Sequence, residues 1–343
     1  RRSPEGEVRL ILERSNPSVI AHVRKTEQGQ YRAVPLDDRL LFELELLQQQ
    51  VGPQLDEAVD HLVHAEVLRY PLGSQLPLGR VNQILGSDAQ SAADTELVFC
   101  KYDLPRTFPD AVEKEAQALP LKLRKVDQKN RVAHQDWVTV AVGDASVGLA
   151  GLDHAFSLDK NKNGTWRLGI HIADLQAFVP EGSAIDLEAK HRVTTIGLAD
   201  TLVPLFPETF VERVGAFVTE KERLAISLIM TLGKQGELIE FEVQPSVVKA
   251  DYQLSYEQLQ AIIQRNDKGD LPTEEVSSFK KLYVWADQFR AVTKLLWQQR
   301  HERGDFELVI MPEIHPRMFG DDGRSGVIGD AEPPTGRQMV AEA

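Results

Sequence analysis

The side chains best suited to acid–base or metal chemistry are thinly spread along this sequence. His171 and Asp174 lie three residues apart after an apolar stretch. Taken alone, the pattern favours a structural role, with a locally hydrogen-bonded histidine at a strand end and an aspartate that starts a turn. The other notable polar residues are scattered and indicate no site by themselves: Arg131, His134, Asp136 and Asp144.

The segment from Asp159 to Gly164 imitates the opening of a calcium-binding EF-hand loop. That loop also needs a bidentate acidic residue at its twelfth position, which here is Ile170, and a helix on each side. The surrounding residues instead have strand character, and Asn163-Gly164 is a strong signal for a two-residue hairpin turn. We therefore predict a turn and no calcium site.

Few other motifs point to chemistry. The sequence contains no Gly-rich phosphate loop, no G-x-S-x-G and no H-E-x-x-H motif. Cys100 is the only cysteine, which excludes an internal disulfide framework and a cysteine-based zinc site. A reducing, cytoplasm-like compartment fits this best. Three arginines could contact phosphates, although surface arginines are usually just solvated: Arg192, Arg213 and Arg223.

The composition is that of a folded protein, with 42% hydrophobic and 27% charged residues. A net charge of −13 argues mildly against a protein that coats nucleic acid, but it leaves room for a narrow basic channel. No apolar run approaches the roughly 20 residues that span a bilayer, so we expect no membrane association. The chain begins with Arg1 and stops within a helical pattern, so we expect it to be part of a longer protein.

A length of 343 residues predicts two or three domains. The first has short strands broken by turns, which favours a small OB or cold-shock type barrel. Its predicted strands are 7–12, 18–24, 31–34 and 61–70, and the leucine-rich block 40–50 is ambiguous between strand and helix. An irregular, polar stretch follows to about residue 136, with one helix from Asp110 to Leu119.

The third part mixes strands and helices. Asn163-Gly164 joins a hairpin of residues 153–158 and 165–172, and Ser183 with Asp186 begins a helix through His191. Further strands are predicted at 224–232 and 237–248, and helices from Ser255 to Gln264 and from Thr273 to Arg300. The long helix carries one apolar stripe that we assign to the core: Val276, Phe279, Leu282, Ala286, Phe289, Val292 and Leu296.

Several blocks, in order along the chain, resemble the RNase II/RNase R family of exoribonucleases. Glu7 to Asp38 is similar to the start of that family's second cold-shock barrel, and Arg69 to Gly86 to its end. The blocks that resemble the lead-in and the front half of the catalytic domain are Tyr102–Pro105, Phe108-Pro109, Leu168–Asp174, Ile185–Ala189, Val203–Pro207 and Arg223–Ser227. Gly304–Pro312 and Gln338–Glu342 resemble later segments of the same domain.

The resemblance implies an enzyme that shortens single-stranded RNA from its 3′ end with magnesium and releases nucleoside monophosphates. Two-metal hydrolysis of a phosphodiester needs clustered carboxylates to hold the ions and activate water. The family supplies them from one loop, as an aspartate, a second one six residues on, and then an adjacent pair.

In this chain that loop runs from Val142 to Phe156, and most of its carboxylates are replaced. The adjacent pair has become Asp153-His154, and the second aspartate falls on Gly151. The first falls on Ala145, or on Ala141 if the loop carries an insertion. Asp144 is one residue out of register, so it could substitute only if the backbone shifts. The resemblance thus leaves Asp153 and Asp144 as the candidate catalytic residues and metal ligands.

A further departure concerns RNA stacking. The family's Tyr-Leu-Pro segment, whose tyrosine stacks on RNA near the catalytic centre, appears here as Gly197-Leu198-Ala199. If only one carboxylate holds it, a hard divalent ion keeps mostly water ligands. His154 does not compensate, because imidazole suits softer metals than magnesium. The resemblance therefore implies magnesium only if the protein is active.

Three hypotheses remain open at this stage. The first is a degenerate RNA-binding member with little hydrolysis; the second is an active exoribonuclease that uses Asp144, Asp153 and either Asp159 or Asp174. The third is a structural component of a protein complex. We expect an α+β chain with a small barrel at 1–86, a linker at 87–136 and the front part of a catalytic-type domain at 137–343. For RNA contact we name Tyr31, Arg32, Arg192 and Arg223, and for location the cytoplasm or a bacterial-type organelle interior.

Overall fold

The computed structural model describes residues 10, 12, 17–48, 53–71, 73, 75–87, 94–134, 137–198, 201–268, 280–304, 313–319, 324–331 and 335–343. The chain divides into two compact units. One contains residues 1–106 with 198–203 and 315–328, and the other contains 107–197, 204–314 and 329–343. No described helix combines the length and the apolar character that a membrane crossing requires.

The first unit is built on a closed five-stranded barrel with the strand order β1-β2-β3-β5-β4. Its ladders are antiparallel except for a short parallel pairing of β3 with β5. The elements are β1 (Ser18–Lys25), β2 (Tyr31–Pro35), β3 (Leu44–Leu46), α1 (Leu55–Ala58), β4 (Leu62–Arg69), β5 (Leu78–Gly86) and α2 (Asp94–Lys101).

Alternation of apolar and polar residues explains the barrel interior. Along β1 every second side chain is buried, namely Val19, Ala21 and Val23, and Ala33 of β2 joins them. The predicted strands 18–24, 31–34 and 61–70 are confirmed, and the ambiguous block 40–50 contains β3. Apart from Leu10 and Leu12, the predicted strand 7–12 lies outside the described residues.

The second unit is organised around a seven-stranded sheet with the order β14-β7-β8-β9-β12-β13-β6. Neighbouring strands of this sheet run antiparallel, except that β14 pairs in parallel with β7 and β6 pairs in parallel with β13. Its strands are β6 (Val132–His134), β7 (Val138–Gly143), β8 (His154–Lys160), β9 (Trp166–Ala173), β12 (Glu222–Leu232), β13 (Leu238–Lys249) and β14 (Tyr252–Ser255).

Helices and short strands complete the described chain. The helices are α3 (Asp110–Ala118), α4 (Ala184–Arg192), α5 (Glu208–Phe210), α6 (Tyr256–Lys268), α7 (Lys280–Glu302) and α8 (Thr335–Glu342). The short strands are β10 (Ile196–Gly197), β11 (Leu202–Val203), β15 (Glu313–Phe319) and β16 (Arg324–Ala331). The predicted helices at 110–119, 183–191 and 255–264 are confirmed as α3, α4 and α6, and the 153–172 hairpin is confirmed as β8–β9.

The main core of the second unit lies where α6, α7 and α8 pack against β7, β8 and β9. Leu282, Ala286, Phe289 and Val292 of α7 are buried there, as the apolar stripe predicts. Val276 and Phe279, from the predicted start of that helix, lie outside the described residues. Strands β6, β7 and β14 are not anticipated by the sequence patterns; β6 and β14 are short, and each pairs in parallel with a strand more than 100 residues away.

Candidate carboxylate site and nucleic-acid interface

Asp144 and Asp153 lie at the two ends of the turn that joins β7 to β8. The turn itself is a 3-10 segment, Ala145–Gly151, interrupted at Gly148, where φ is 58°. Backbone hydrogen bonds hold its exit: the Phe217 amide donates to Leu152 O at 2.7 Å, and the Ala173 amide donates to Asp153 O at 2.9 Å. These two hydrogen bonds fix the backbone at Asp153.

Gly143 ends β7 and allows the turn to fold back on itself. A β-carbon built at this position would lie 2.0 Å from the carbonyl oxygen of Gly151, which no side chain tolerates. Close approach of two backbone segments explains glycine here, since any larger residue forces the turn away from the strand. This contact brings the chain next to Asp144 back towards Asp153.

The Gly143→Ala substitution is therefore expected to lower the free energy of unfolding by about 1 to 3 kcal/mol, the usual range for overpacking. Urea unfolding monitored by tryptophan fluorescence measures the change. Gly197→Ala is the matched control, because a β-carbon there meets nothing within 4 Å. Equal stability of the two variants would contradict the close approach.

Asp153 has a largely exposed carboxylate that already has a neighbour. Its Oδ1 lies 2.7 Å from His154 Nδ1, and a carboxylate can only accept, so the imidazole donates. The His154 ring packs edge-on against Phe156 with 5.6 Å between ring centroids. The histidine thus orients Asp153 and occupies one of its oxygens.

Asp144 is half-buried and lines a cavity of about 320 Å³. The other walls of this cavity are the β7–β8 turn, the end of β14 and Gln258 of α6. Ser255 and Gln258 cap that helix reciprocally: the Gln258 amide donates to Ser255 Oγ at 3.2 Å, and the Ser255 amide donates to Gln258 Oε1 at 2.8 Å. This confirms the predicted cap.

The charges of Asp144 and Asp153 both influence the hydroxyl group of Tyr256. Burial raises the pKa of Tyr256, and the negative charges of Asp144 and Asp153 add to this effect, while Arg337 opposes it. Tyr256 begins α6, and Gln258 of the same helix lines the cavity that Asp144 also lines. The structure therefore brings Asp144 and Asp153 into one neighbourhood, next to a tyrosine that the sequence patterns do not single out.

These side chains do not fit a two-metal magnesium centre. Among the described residues, no three His, Cys, Asp or Glu side chains are placed to hold one metal ion. Asp159 is exposed near the hairpin turn at the far end of β8, and Asp174 is bound to an arginine. Magnesium prefers near-octahedral oxygen coordination, which two carboxylates cannot supply without mostly water ligands.

Asp174 forms a partly buried ion pair with Arg131. Their side chains are 12% and 13% exposed, so the pair is largely removed from solvent. Arg131 also donates from Nη1 to the carbonyl of Ala225 at 3.3 Å. Asp174 accordingly anchors the segment before β6 to the sheet, and Arg131 has a structural role that its sequence position does not reveal.

His171 is fully buried between two serines. Its Nε2 lies 2.8 Å from Ser157 Oγ and its Nδ1 lies 2.6 Å from Ser227 Oγ, which in turn contacts Ser246 Oγ. Burial lowers the pKa of His171 to about 3, with a smaller contribution from His134. The imidazole is therefore neutral and structural, as the sequence pattern favours.

Arg192, one of the predicted RNA contacts, is buried by the second unit. Its side chain is 2% exposed and donates to Glu188 Oε1 at 2.8 Å, to Pro204 O at 3.2 Å and to Thr107 O at 2.6 Å. The guanidinium also lies 3.7 Å from the centroid of the Phe108 ring. All three of its nitrogens are engaged within the protein.

Arg223 and Arg213 are used in the same way. Arg223 is 2% exposed and donates to the carbonyls of Ala216 at 2.7 Å and Glu212 at 2.8 Å. Burial lowers the pKa of Arg223 to about 10. Arg213 donates to the carbonyl of Leu119 at 2.6 Å. The expectation that such arginines are merely solvated is wrong for Arg192 and Arg223, which brace the backbone instead.

Tyr31 and Arg32 lie next to each other on β2 of the barrel. Tyr31 packs partly against the barrel core, donates to Asp56 Oδ1 and has Lys25 Nζ 4.9 Å from its ring centroid. Arg32 is partly exposed and lies 3.5 Å from Glu43 Oε2. Of the four residues named for RNA contact, these two lie closest to solvent, and each has an acidic neighbour that the sequence patterns do not identify.

Comparisons with known proteins agree with this architecture. The RNB domain family matches residues 135–343, and the Cold shock domain family matches residues 52–109. The chain is 42% identical over 352 residues to the acetazolamide conferring resistance protein zam of Synechocystis, which covers 100% of this chain and 42% of that protein. It is 31% identical to ribonuclease R of Thermotoga maritima, over 88% of this chain and 41% of the relative.

Two solved structures share the fold. RNase R of Mycoplasma genitalium in complex with ribose methylated single-stranded RNA superposes with a TM-score of 0.79 at 20% identity, over 97% of this chain and 50% of that one. Yeast Ssd1, described as a pseudonuclease, superposes with a TM-score of 0.66 at 17% identity, over 97% of this chain and 40% of that one. The chain thus spans half or less of the length of these proteins.

Proposed function

Because the chain belongs to the RNB domain family, we propose that it binds single-stranded RNA on the fold of a 3′–5′ exoribonuclease and hydrolyses that RNA weakly or not at all. The RNA partner is supported by the Mycoplasma RNase R structure, which holds single-stranded RNA on the same fold. Loss of hydrolysis has a precedent in Ssd1, a pseudonuclease of this fold.

One observation carries the proposal of weak hydrolysis. The β7–β8 turn offers Asp144 and Asp153 alone, and the described residues contain no third ligand in reach of a shared metal ion. Asp153 is also engaged by His154. Losing carboxylates from a metal centre removes several kcal/mol of transition-state stabilisation, so catalysis should fall by orders of magnitude even where RNA still binds.

The chain should therefore bind 5′-labelled oligo(A) and leave it intact over hours in magnesium. Denaturing gel electrophoresis measures the length of the oligonucleotide, and fluorescence anisotropy measures its binding as a function of salt. Asp153→Asn is the matched variant, since it removes the charge and keeps the shape. The expected result is the same uncut oligonucleotide with both proteins.

Progressive shortening by the natural chain that stops in Asp153→Asn would overturn the proposal and support an active magnesium-dependent exoribonuclease. Equal shortening by both proteins would point to a contaminating nuclease. Intact RNA without binding at low salt would favour the third hypothesis, a structural component of a protein complex.

We further propose a reducing compartment, the cytoplasm or a bacterial-type organelle interior. Cys100 is a free, buried thiol, and burial raises its pKa, so little of it is a reactive thiolate at neutral pH. Immunofluorescence or fractionation of the tagged full-length protein tests the location.

A further inference from the structure

Two arginines face each other on neighbouring strands of the barrel. Arg24 of β1 is the direct cross-strand partner of Arg32 of β2, in an antiparallel register that continues through both strands. Like charges placed opposite each other destabilise a sheet unless an anion lies between them. The barrel supplies that anion itself, from the segment just before β3.

The anion is the carboxylate of Glu43, which bridges both guanidinium groups. Arg24 Nη2 donates to Glu43 Oε1, and Arg32 Nη1 lies 3.5 Å from Glu43 Oε2. The exposed fractions of the side chains are 56% for Arg24, 29% for Arg32 and 29% for Glu43, so the cluster is open to solvent at its Arg24 side.

The bridge is incomplete on the Arg32 side. Among the described residues, the buried Nε of Arg32 has no hydrogen-bond partner, and the buried Oε2 of Glu43 has only the long 3.5 Å contact with Arg32 Nη1. An arginine fork offers two parallel donors that match the oxygens of a carboxylate or of a phosphate equally well. Once Glu43 is displaced, a tetrahedral phosphodiester can accept from the arginine donors that the flat carboxylate now holds.

We propose that Arg24 and Arg32 form a phosphodiester-binding site on the barrel, and that Glu43 occupies this site as an internal competitor that sets its affinity for RNA. The inference rests on the proposed RNA-binding function and names the residue that controls it. A phosphate of the RNA backbone must displace Glu43 before both arginines can bind it.

The charges in this cluster support a competition between Glu43 and an RNA phosphate rather than a purely structural role for Glu43. The hydrogen bond from Arg24 lowers the pKa of Glu43, so the carboxylate remains charged at neutral pH and the arginines do not present their full charge to RNA. Glu45 of β3 lies directly opposite Arg32 and adds a second negative charge to this row. A partly exposed ion pair contributes little to stability because solvent screens it, so its displacement costs little.

Glu43→Gln is the decisive variant, measured in the full chain with labelled oligo(A) in EDTA between 50 and 200 mM KCl. We expect about five- to tenfold tighter binding at the lowest salt, and a dependence of log Kd on log salt that is steeper by about 0.7 for each additional phosphate contacted. Glu27→Gln is the control, because Glu27 is an exposed residue of the β1–β2 turn and its loss changes the net charge equally.

Glu43→Asp is a second variant that keeps the net charge. Its shorter side chain cannot bridge both arginines, so a gain of about twofold or more in affinity is expected, even if Glu43→Gln does not fold. Adding Arg24→Gln and Arg32→Gln to Glu43→Gln should abolish the gain and the extra salt dependence.

The inference is overturned if the natural chain binds oligo(A) and Glu43→Gln behaves like Glu27→Gln, or binds more weakly. Such a result would make Glu43 a structural brace and would leave the proposed function intact. Failure of the natural chain and all variants to bind at 50 mM KCl would instead overturn the proposed function together with the inference.

Discussion

Replacing Arg192 with alanine is expected to lower the free energy of unfolding by about 3 to 5 kcal/mol, the cost of breaking a buried charge network by removing one partner. The substitution would leave the largely enclosed Glu188 carboxylate without its cation, and the carbonyls of Thr107 and Pro204 without their donor. It would also open a space over the Phe108 ring.

The experiment compares urea unfolding of Arg192→Ala with that of Lys190→Ala. Lys190 is on the same helix, and its ion pair with Asp186 is 60% exposed on the lysine side, so its loss should change stability by about 0.5 kcal/mol or less. If Arg192→Ala kept its stability but bound RNA more weakly with a reduced salt dependence, Arg192 would be an RNA contact and the structural role would be wrong.

A fall in pH from 7 to 5 is expected to lower the free energy of unfolding by about 2 kcal/mol through His171 alone. Its pKa is about 3 in the fold, against the ordinary histidine value of 6.5 that applies to the unfolded chain. The unfolded state therefore binds more protons than the folded state throughout this window, and the difference grows as the pH falls. This stability is fully present above pH 6.5 and is lost progressively as the pH falls towards 3.

His171→Gln isolates this contribution, because glutamine can still exchange hydrogen bonds with Ser157 or Ser227 but does not titrate. Urea unfolding at pH 7 and pH 5 should show the natural chain losing about 2 kcal/mol more than the variant does. The same comparison in His134→Gln shows how much of the slope belongs to the neighbouring ring, whose pKa burial also lowers. Equal slopes for the natural chain and His171→Gln would rule out His171 as the source.

The local elements of this protein follow from short-range patterns in its sequence. Asn163-Gly164 indicates the β8–β9 hairpin, and Ser183 with Asp186 indicates the start of α4, where Asp186 N donates to Ser183 Oγ at 3.3 Å. Alternation along β1 and the apolar stripe of α7 indicate which faces are buried. Each of these features depends on the spacing of residues that are near each other in the sequence, so the sequence alone predicts them.

Family membership is likewise a property of the sequence, because it depends on the order of many blocks rather than on any contact. The sequence also shows that the carboxylate cluster has lost members, because other residues replace the expected aspartates around Gly151. The same reasoning cannot tell how Asp153 is used, since its engagement by His154 depends on side-chain geometry.

The tertiary structure alone decided which charged side chains remain available. Arg192 bonds to Thr107, 85 residues away, and Arg131 reaches Asp174 across 43 residues, so no local pattern distinguishes them from solvated arginines. Glu43 meets Arg24 because β1, β2 and β3 lie side by side in the barrel, which brings residues 19 positions apart into contact. Burial and pairing arise from contacts between distant segments, and these determine whether a charge holds the fold together or can meet a phosphate.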